Sequence, residues 1–182
     1  MSYKNENLSI VIPILRESQN INRLIENITK SINIINYEIL FVDDNSNDGT
    51  EEILKDLNRK NKKIKFIIRK EKTHDLSKSC ILGFENSLHN NILVMDGDLQ
   101  HRPSEINKLY YKLVYHNYDI VVGSRELVHK KNEGLKIHRL ISSIILIFIV
   151  NLLLGFKTND PMSGFFIFKK KIFLKAKKNM SK

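Results

Sequence analysis

Two carboxylates one residue apart stand out in the segment NILVMDGDLQHRP, Asn91 to Pro103, where an apolar run gives way to Asp96, Gly97, Asp98, Gln100 and His101. Alternate residues of an extended chain point the same way, so Asp96, Asp98 and Gln100 are expected to aim oxygens at one point. Gly97 would let backbone or ligand approach closely. An oxygen-only set suits a hard cation, Mg²⁺ or Mn²⁺. Magnesium fills much of its shell with water and phosphate oxygens, so so sparse a set predicts a phosphorylated ligand. Taken alone, the segment also reads as an ordinary polar turn.

A second acidic cluster, VDDNSNDGT (Val42 to Thr50), precedes the helical pattern EEILKDL. Asp48 and Thr50 suit a turn and helix cap. Adjacent carboxylates such as Asp43 and Asp44 repel unless donors or a cation occupy them, and a nucleotide base or ribose offers such donors.

Both clusters follow short runs of Ile, Val and Phe. Strands are expected at Leu8 to Ile12, Tyr37 to Val42, Ile64 to Ile68, Ile92 to Met95 and Asp119 to Val122, each apolar enough to be covered on both faces. Helical stripes lie between them: Ile21, Leu24, Ile25, Ile28 and Ile32 in one, Ile106, Leu109, Tyr110, Leu113 and Val114 in another. Pro103 suits a first helical position. Alternating strands and helices predict an α/β fold, a mainly parallel central sheet with helices on both faces. Ligands of such sheets lie beyond the carboxyl ends of the strands. There fall Pro13 and Glu17, Asp43 and Asp44, Asp96 to Gln100, and Ser124 with Arg125.

The 182 residues are 42% hydrophobic and fit a single domain, 1–182. One cysteine, Cys80, excludes an internal disulfide and a thiolate zinc cluster, and fits a reducing, cytosolic setting. The opening MSYKNENLSIVIP is not a signal-peptide pattern. A net charge of +10 predicts an anionic partner. Nucleic acid is not expected, because no RNA or DNA motif and no aromatic cluster for base stacking accompanies the charge. Leu140 to Phe156 is apolar except for Ser142, Ser143 and Asn151. At 17 residues it falls short of the roughly 20 that span a bilayer. A helix lying on a membrane surface is the expectation, with a buried core helix or a span as alternatives. The tail from Lys169 to Lys182 adds lysines that anionic lipids attract.

The ordered set VIP with Glu17, VDDNSNDGT, VMDGDLQH, VGSR, basic residues before LIS, and DPMSGFF resembles the family-two glycosyltransferases. Within them it is closest in pattern to the dolichyl-phosphate (polyprenyl-phosphate) mannose synthases, over about Leu8 to Phe173. The resemblance implies a glycosyltransferase A type, nucleotide-diphospho-sugar transferase fold. It implies metal-dependent transfer of a hexose, mannose from GDP-mannose first, to a polyprenyl or dolichyl phosphate with inversion. Pro13, Glu17, Val42 and Asp44 would line the base and ribose pocket, and Asp96 and Gly97 would approach ribose and diphosphate. Asp98 and Gln100, with Asp96 beside them, would hold the metal. Arg125 would contact the leaving phosphate, and Arg139 with His138 would face the acceptor phosphate. Asp98 and Arg125 would thus carry the catalytic roles. The implied partners are a nucleotide-diphosphate sugar, a polyprenyl phosphate lipid and the cytoplasmic face of a membrane, with room for a separate membrane-anchor partner.

Some positions depart from that pattern. Leu15 and Arg16 stand where Tyr-Asn is usual, Asp75 where Gly is usual, and Ser79 where Ala is usual, and the chain is expected to be shorter at its C-terminus than relatives. The alternatives are a UDP-sugar-using polyprenyl-phosphate glycosyltransferase and a truncated, non-catalytic relative. Processive polysaccharide synthases are disfavoured by the lack of Trp. A phosphoacceptor module built on Asp43, Asp44 and Asp96 would leave DGDLQH and SGFF unexplained.

Overall fold

A computed structural model describes residues 7–71, 73–123 and 163–180. Six strands form one sheet in the order β3-β2-β1-β4-β6-β5. They are β1 (Asn7–Ile14), β2 (Asn36–Asp43), β3 (Ile64–Ile68), β4 (Asn91–Val94), β5 (Ile120–Val122) and β6 (Phe166–Lys169). β1 pairs in parallel with β2 and β4, and β2 with β3. β6 runs antiparallel to both β4 and β5. The sheet is therefore mainly parallel, with one reversed strand. β6 begins at Phe166, the last residue of the SGFF motif, and is a strand that the sequence pattern does not announce.

Five α-helices are described: α1 (Ile21–Ser31), α2 (Thr50–Lys60), α3 (Leu76–Asn86), α4 (Ile106–Tyr115) and α5 (Lys170–Met180). α1 buries Ile21, Leu24, Ile25 and Ile28. It stops at Ile32, whose backbone is already extended and whose N–H still bonds the Ile28 carbonyl. α4 buries Ile106, Leu109, Tyr110 and Leu113, whereas the expected fifth member, Val114, is 41% exposed. Pro103 opens a 3-10 turn, Pro103–Glu105, and not α4 itself.

The strand pleat divides the core between two faces. Leu8, Ile10, Ile12 and Ile14 of β1 join Ile39 and Phe41 of β2 against residues of α1, α2 and α4. Val11, Leu40, Val42 and Val94 face α3 and α5, where Phe84 meets Phe168 and Phe173 edge-on. Each fully buried Ile or Leu contributes about 2 kcal/mol. The edge strands depart from expectation: β3 and β5 are mostly half-buried, because each has a neighbour on one side only.

Part of the lysine-rich tail is a packed helix. Lys170 Nζ donates to the Ser87 carbonyl (2.6 Å), and Lys177 pairs with Glu85 (2.6 Å) at the C-terminal end of α3, where cations suit the helix dipole. Among the described residues no helix is long and apolar enough to cross a membrane. The apolar segment 140–156, Ser124, Arg125, His138 and Arg139 lie outside the described residues.

Candidate functional site

Strand register brings the polar clusters together. Ile14 stands opposite Asp43, and Asp43 opposite Ile68, so the residues after β1, β2 and β3 leave the sheet side by side. The Met95 N–H donates to the Val11 carbonyl (3.2 Å), which sets Asp96 beside them. Gly97 makes this approach close: a Cβ there would stand 2.6 Å from Ile14 Cγ2 and 3.6 Å from Glu17 Cγ. Glu17 and Gly97, two expected site residues, are thus neighbours.

The acidic pair resolves differently from expectation. Successive residues of a strand point to opposite faces, so the two carboxylates diverge. Asp43 turns toward the loop before α2 and accepts from the Ser46 hydroxyl and from its N–H (3.2 Å). Burial pushes the Asp43 pKa up against these bonds. Asp44 turns toward α3, pairs with Arg69 and accepts from the Asp75 N–H (2.6 Å). Donors for both carboxylates come from the protein, so no ligand is needed to relieve repulsion. Asp43 and Asp44 are 2% and 4% exposed, which also closes them to a phosphodonor.

The DGDLQH segment is not extended. Strand pairing ends at Val94, and residues 97–99 bend, with Leu99 at φ +64°. Asp96 and Asp98 consequently have separate surroundings. Asp96 Oδ2 lies 2.9 Å from His101 Nε2, and the His101 ring stacks on Phe165. Asp98 Oδ1 accepts from the Gln100 N–H (3.0 Å), while the Gln100 side chain is exposed.

A cavity of about 520 Å³ opens beside the β1 and β2 ends, lined by Arg16, Asn45, Ser46, Asn47, Asp48 and His74. Arg16, Asn45 and Asn47 have φ near +50 to +63°, a costly conformation that clusters at ligand sites. His74 Nδ1 lies 2.8 Å from the Asp44 carbonyl and must donate to it, which leaves Nε2 for the cavity. Hydrogen bonds from Thr50 and Ser18 hold the Asp48 pKa down although burial opposes them. Pro13 and Val42 are buried and offer no side-chain surface to a ligand; they shape the strand ends from beneath.

Sequence reasoning passed over Arg69, His74 and the Asp96 partners. Arg69 directly follows β3, the one early strand end for which no polar cluster was named, and its position alone could have flagged it. His101 sat in the motif already but was assigned no role. Cys80 is no candidate nucleophile, since burial, with the Asp96 charge, pushes its pKa to about 11.

The donor set suits a hard divalent cation. Asp96 and Asp98 are part-exposed carboxylates at a strand end, with Gln100 beside them. Among the described residues no group of three His, Cys, Asp or Glu converges. Two carboxylates with the remaining positions left to water and phosphate is what Mg²⁺ or Mn²⁺ takes at a nucleotide.

The model of glycosyl transferase family 2 matches residues 9–176. A dolichol-phosphate mannosyltransferase of Pyrococcus furiosus is 35% identical over 91% of this chain and 47% of the relative. That of Saccharomyces cerevisiae is 30% identical over 90% of this chain and 61% of the relative. The chain thus spans about half the length of the curated relatives it matches. A glucosyl-3-phosphoglycerate synthase from Mycobacterium tuberculosis, solved with Mn²⁺, UDP and glucosyl-3-phosphoglycerate, superposes with a TM-score of 0.68. The identity is 16%, over 91% of this chain and 57% of that one. The fold is of the glycosyltransferase A type.

Proposed function

Because the chain belongs to glycosyl transferase family 2, we propose that it moves a hexose, mannose from GDP-mannose, to a polyprenyl or dolichyl phosphate with inversion. The observation that carries this reading is the gathering of Glu17, Asp44, Asp96 and Gly97 at one edge of the sheet, with the part-exposed Asp98 next in the chain. The mannosyltransferase relatives support the choice of sugar and acceptor.

In this reading Glu17 binds base and ribose over a floor made by Pro13, Val42 and the buried Asp44, which the Arg69 pair holds in place, and Asp96 and Gly97 meet ribose and diphosphate. Asp98, Asp96 and Gln100 would hold Mg²⁺ or Mn²⁺, which would supply positive charge beside the leaving diphosphate. Arg125 suits the same phosphates through its planar fork, and His138 and Arg139 serve the acceptor phosphate. A phosphate monoester has a second pKa near about 6, so at neutral pH it is mostly dianionic and attacks without a protein base. The chain's task is to bring two anions together and to stabilise the leaving group. A lipid acceptor places the reaction at a membrane's cytoplasmic face, with residues 140–156 or a separate anchor partner at the surface.

The test is a panel of GDP- and UDP-sugars with a short polyprenyl phosphate, with and without chelator. A chelator-sensitive lipid-linked mannose from GDP-mannose is expected. Product from a UDP-sugar alone would replace the donor, and no product from any donor with folded protein would leave a non-catalytic relative.

A further inference from the structure

Two neighbours, Gly164 and His101, flank the Asp96 carboxylate, and Phe165 braces His101; Gly164 and Phe165 belong to a segment that the reading above leaves without a role. Gly164 lies directly across it: a Cβ there would stand 2.6 Å from Oδ2 and 3.0 Å from Oδ1. Any side chain at position 164 would push the carboxylate away. Phe165, next in the chain, stacks on the His101 ring with centroids 5.0 Å apart and planes at 21°. The His101 side chain is 9% exposed, so the stack leaves it little freedom, and its Nε2 sits 2.9 Å from Asp96 Oδ2. The segment is itself anchored. The Phe165 N–H donates to the Ser163 hydroxyl (3.2 Å), and the Gly123 N–H to the Phe165 carbonyl (2.8 Å). The Asp96 side chain remains 41% exposed.

We propose that His101 and Gly164 are positioning residues, which hold Asp96 in the one orientation that serves a bound metal and nucleotide. The proposal rests on the function proposed above. A group that orients a metal-site carboxylate through a hydrogen bond typically governs about 10–100-fold in metal affinity. A residue that merely packed β6 against the loop after β4 would govern melting alone.

The test reads Mn²⁺ affinity of the full chain by electron paramagnetic resonance, with GDP and with UDP present, alongside thermal melting. His101→Phe keeps the stack and removes the donor; His101→Gln keeps a donor of similar reach; His101→Asn has a donor too short to arrive. Gly164→Ala displaces the carboxylate with the donor intact. Expected are losses of about 10–100-fold for His101→Phe, His101→Asn and Gly164→Ala, and affinity within about 3-fold of the parent for His101→Gln. Unchanged affinity in folded His101→Phe or His101→Asn overturns the positioning role while leaving the site reading intact. A parent chain that binds no Mn²⁺ with either nucleotide overturns both.

Discussion

Asp44 and Arg69 form an ion pair between the ends of β2 and β3 in which both partners are nearly buried, at 4% and 3% exposure. Further polar groups gather around the pair. Asp44 Oδ2 takes the Asp75 N–H, and the guanidinium reaches the Asp75 carbonyl (2.9 Å) and Glu71 (2.7 Å). Asp75, where the family pattern has Gly, also caps α3 through the Lys78 N–H (3.1 Å). One carboxylate thereby links two strand ends to the start of a helix.

Removing the guanidinium strands that charge. Arg69→Ala is expected to cost about 3–5 kcal/mol in urea unfolding. In the Arg69→Ala, Asp44→Asn double variant the loss falls well short of the sum of the single losses, because no buried charge is left unpaired.

Asp98 behaves oppositely. It is part-exposed and makes a local bond to the Gln100 N–H, so Asp98→Asn shifts stability by less than about 1 kcal/mol. Under the proposed function, formation of lipid-linked sugar is expected to fall by about 100-fold or more, as it should on chelation of the parent. Equal activity in a folded Asp98→Asn protein would remove Asp98 from the metal site.

Acid unfolding follows the buried Glu38. Burial raises its pKa, but bonds from the Ser9 hydroxyl (2.6 Å), the Leu88 N–H (2.6 Å) and Lys65 (3.1 Å) outweigh it and the net shift is downward. The ionised form is therefore favoured by folding. Its stabilisation is present above the ordinary value of 4.5 and is lost as pH falls through the folded-state value. Asp43, pushed up, acts in reverse: its contribution favours the fold below 3.8 and is lost as pH rises through its folded-state value. Glu38→Gln should flatten the decline of the urea midpoint below pH 4.5, and Glu38→Ala should cost about 2–3 kcal/mol at neutral pH.

The contact of α3 with the sheet depends on Gly83. A Cβ there would lie 2.4 Å from Val11 Cγ1 and 3.2 Å from Val42 Cγ2, both buried. Gly83→Ala is expected to cost about 1–3 kcal/mol through overpacking, and Val11→Ala in the same chain to recover part of that in calorimetry.

The α/β order, five of the six strands and the apolar faces of α1 and α4 were legible in the chain itself, because burial imposes periods of two and 3.6 on local sequence. So was the edge at which polar residues gather, since strand ends announce themselves where apolar runs stop. β6 was not, because four residues hold no period and its place between β4 and β5 is settled by pairing with distant strands. The aim of each carboxylate was likewise beyond local reading. Asp43 and Asp44 part because the strand pleat extends to the end of β2, whereas Asp96 and Asp98 lose their common direction because strand pairing ends before them. Residue types and spacing thus determined by themselves where oxygen atoms collect. Only the tertiary structure decided what each one faces, because Arg69, Gly164 and Phe165 reach Asp44, Asp96 and His101 from other parts of the chain, through contacts that no local pattern records.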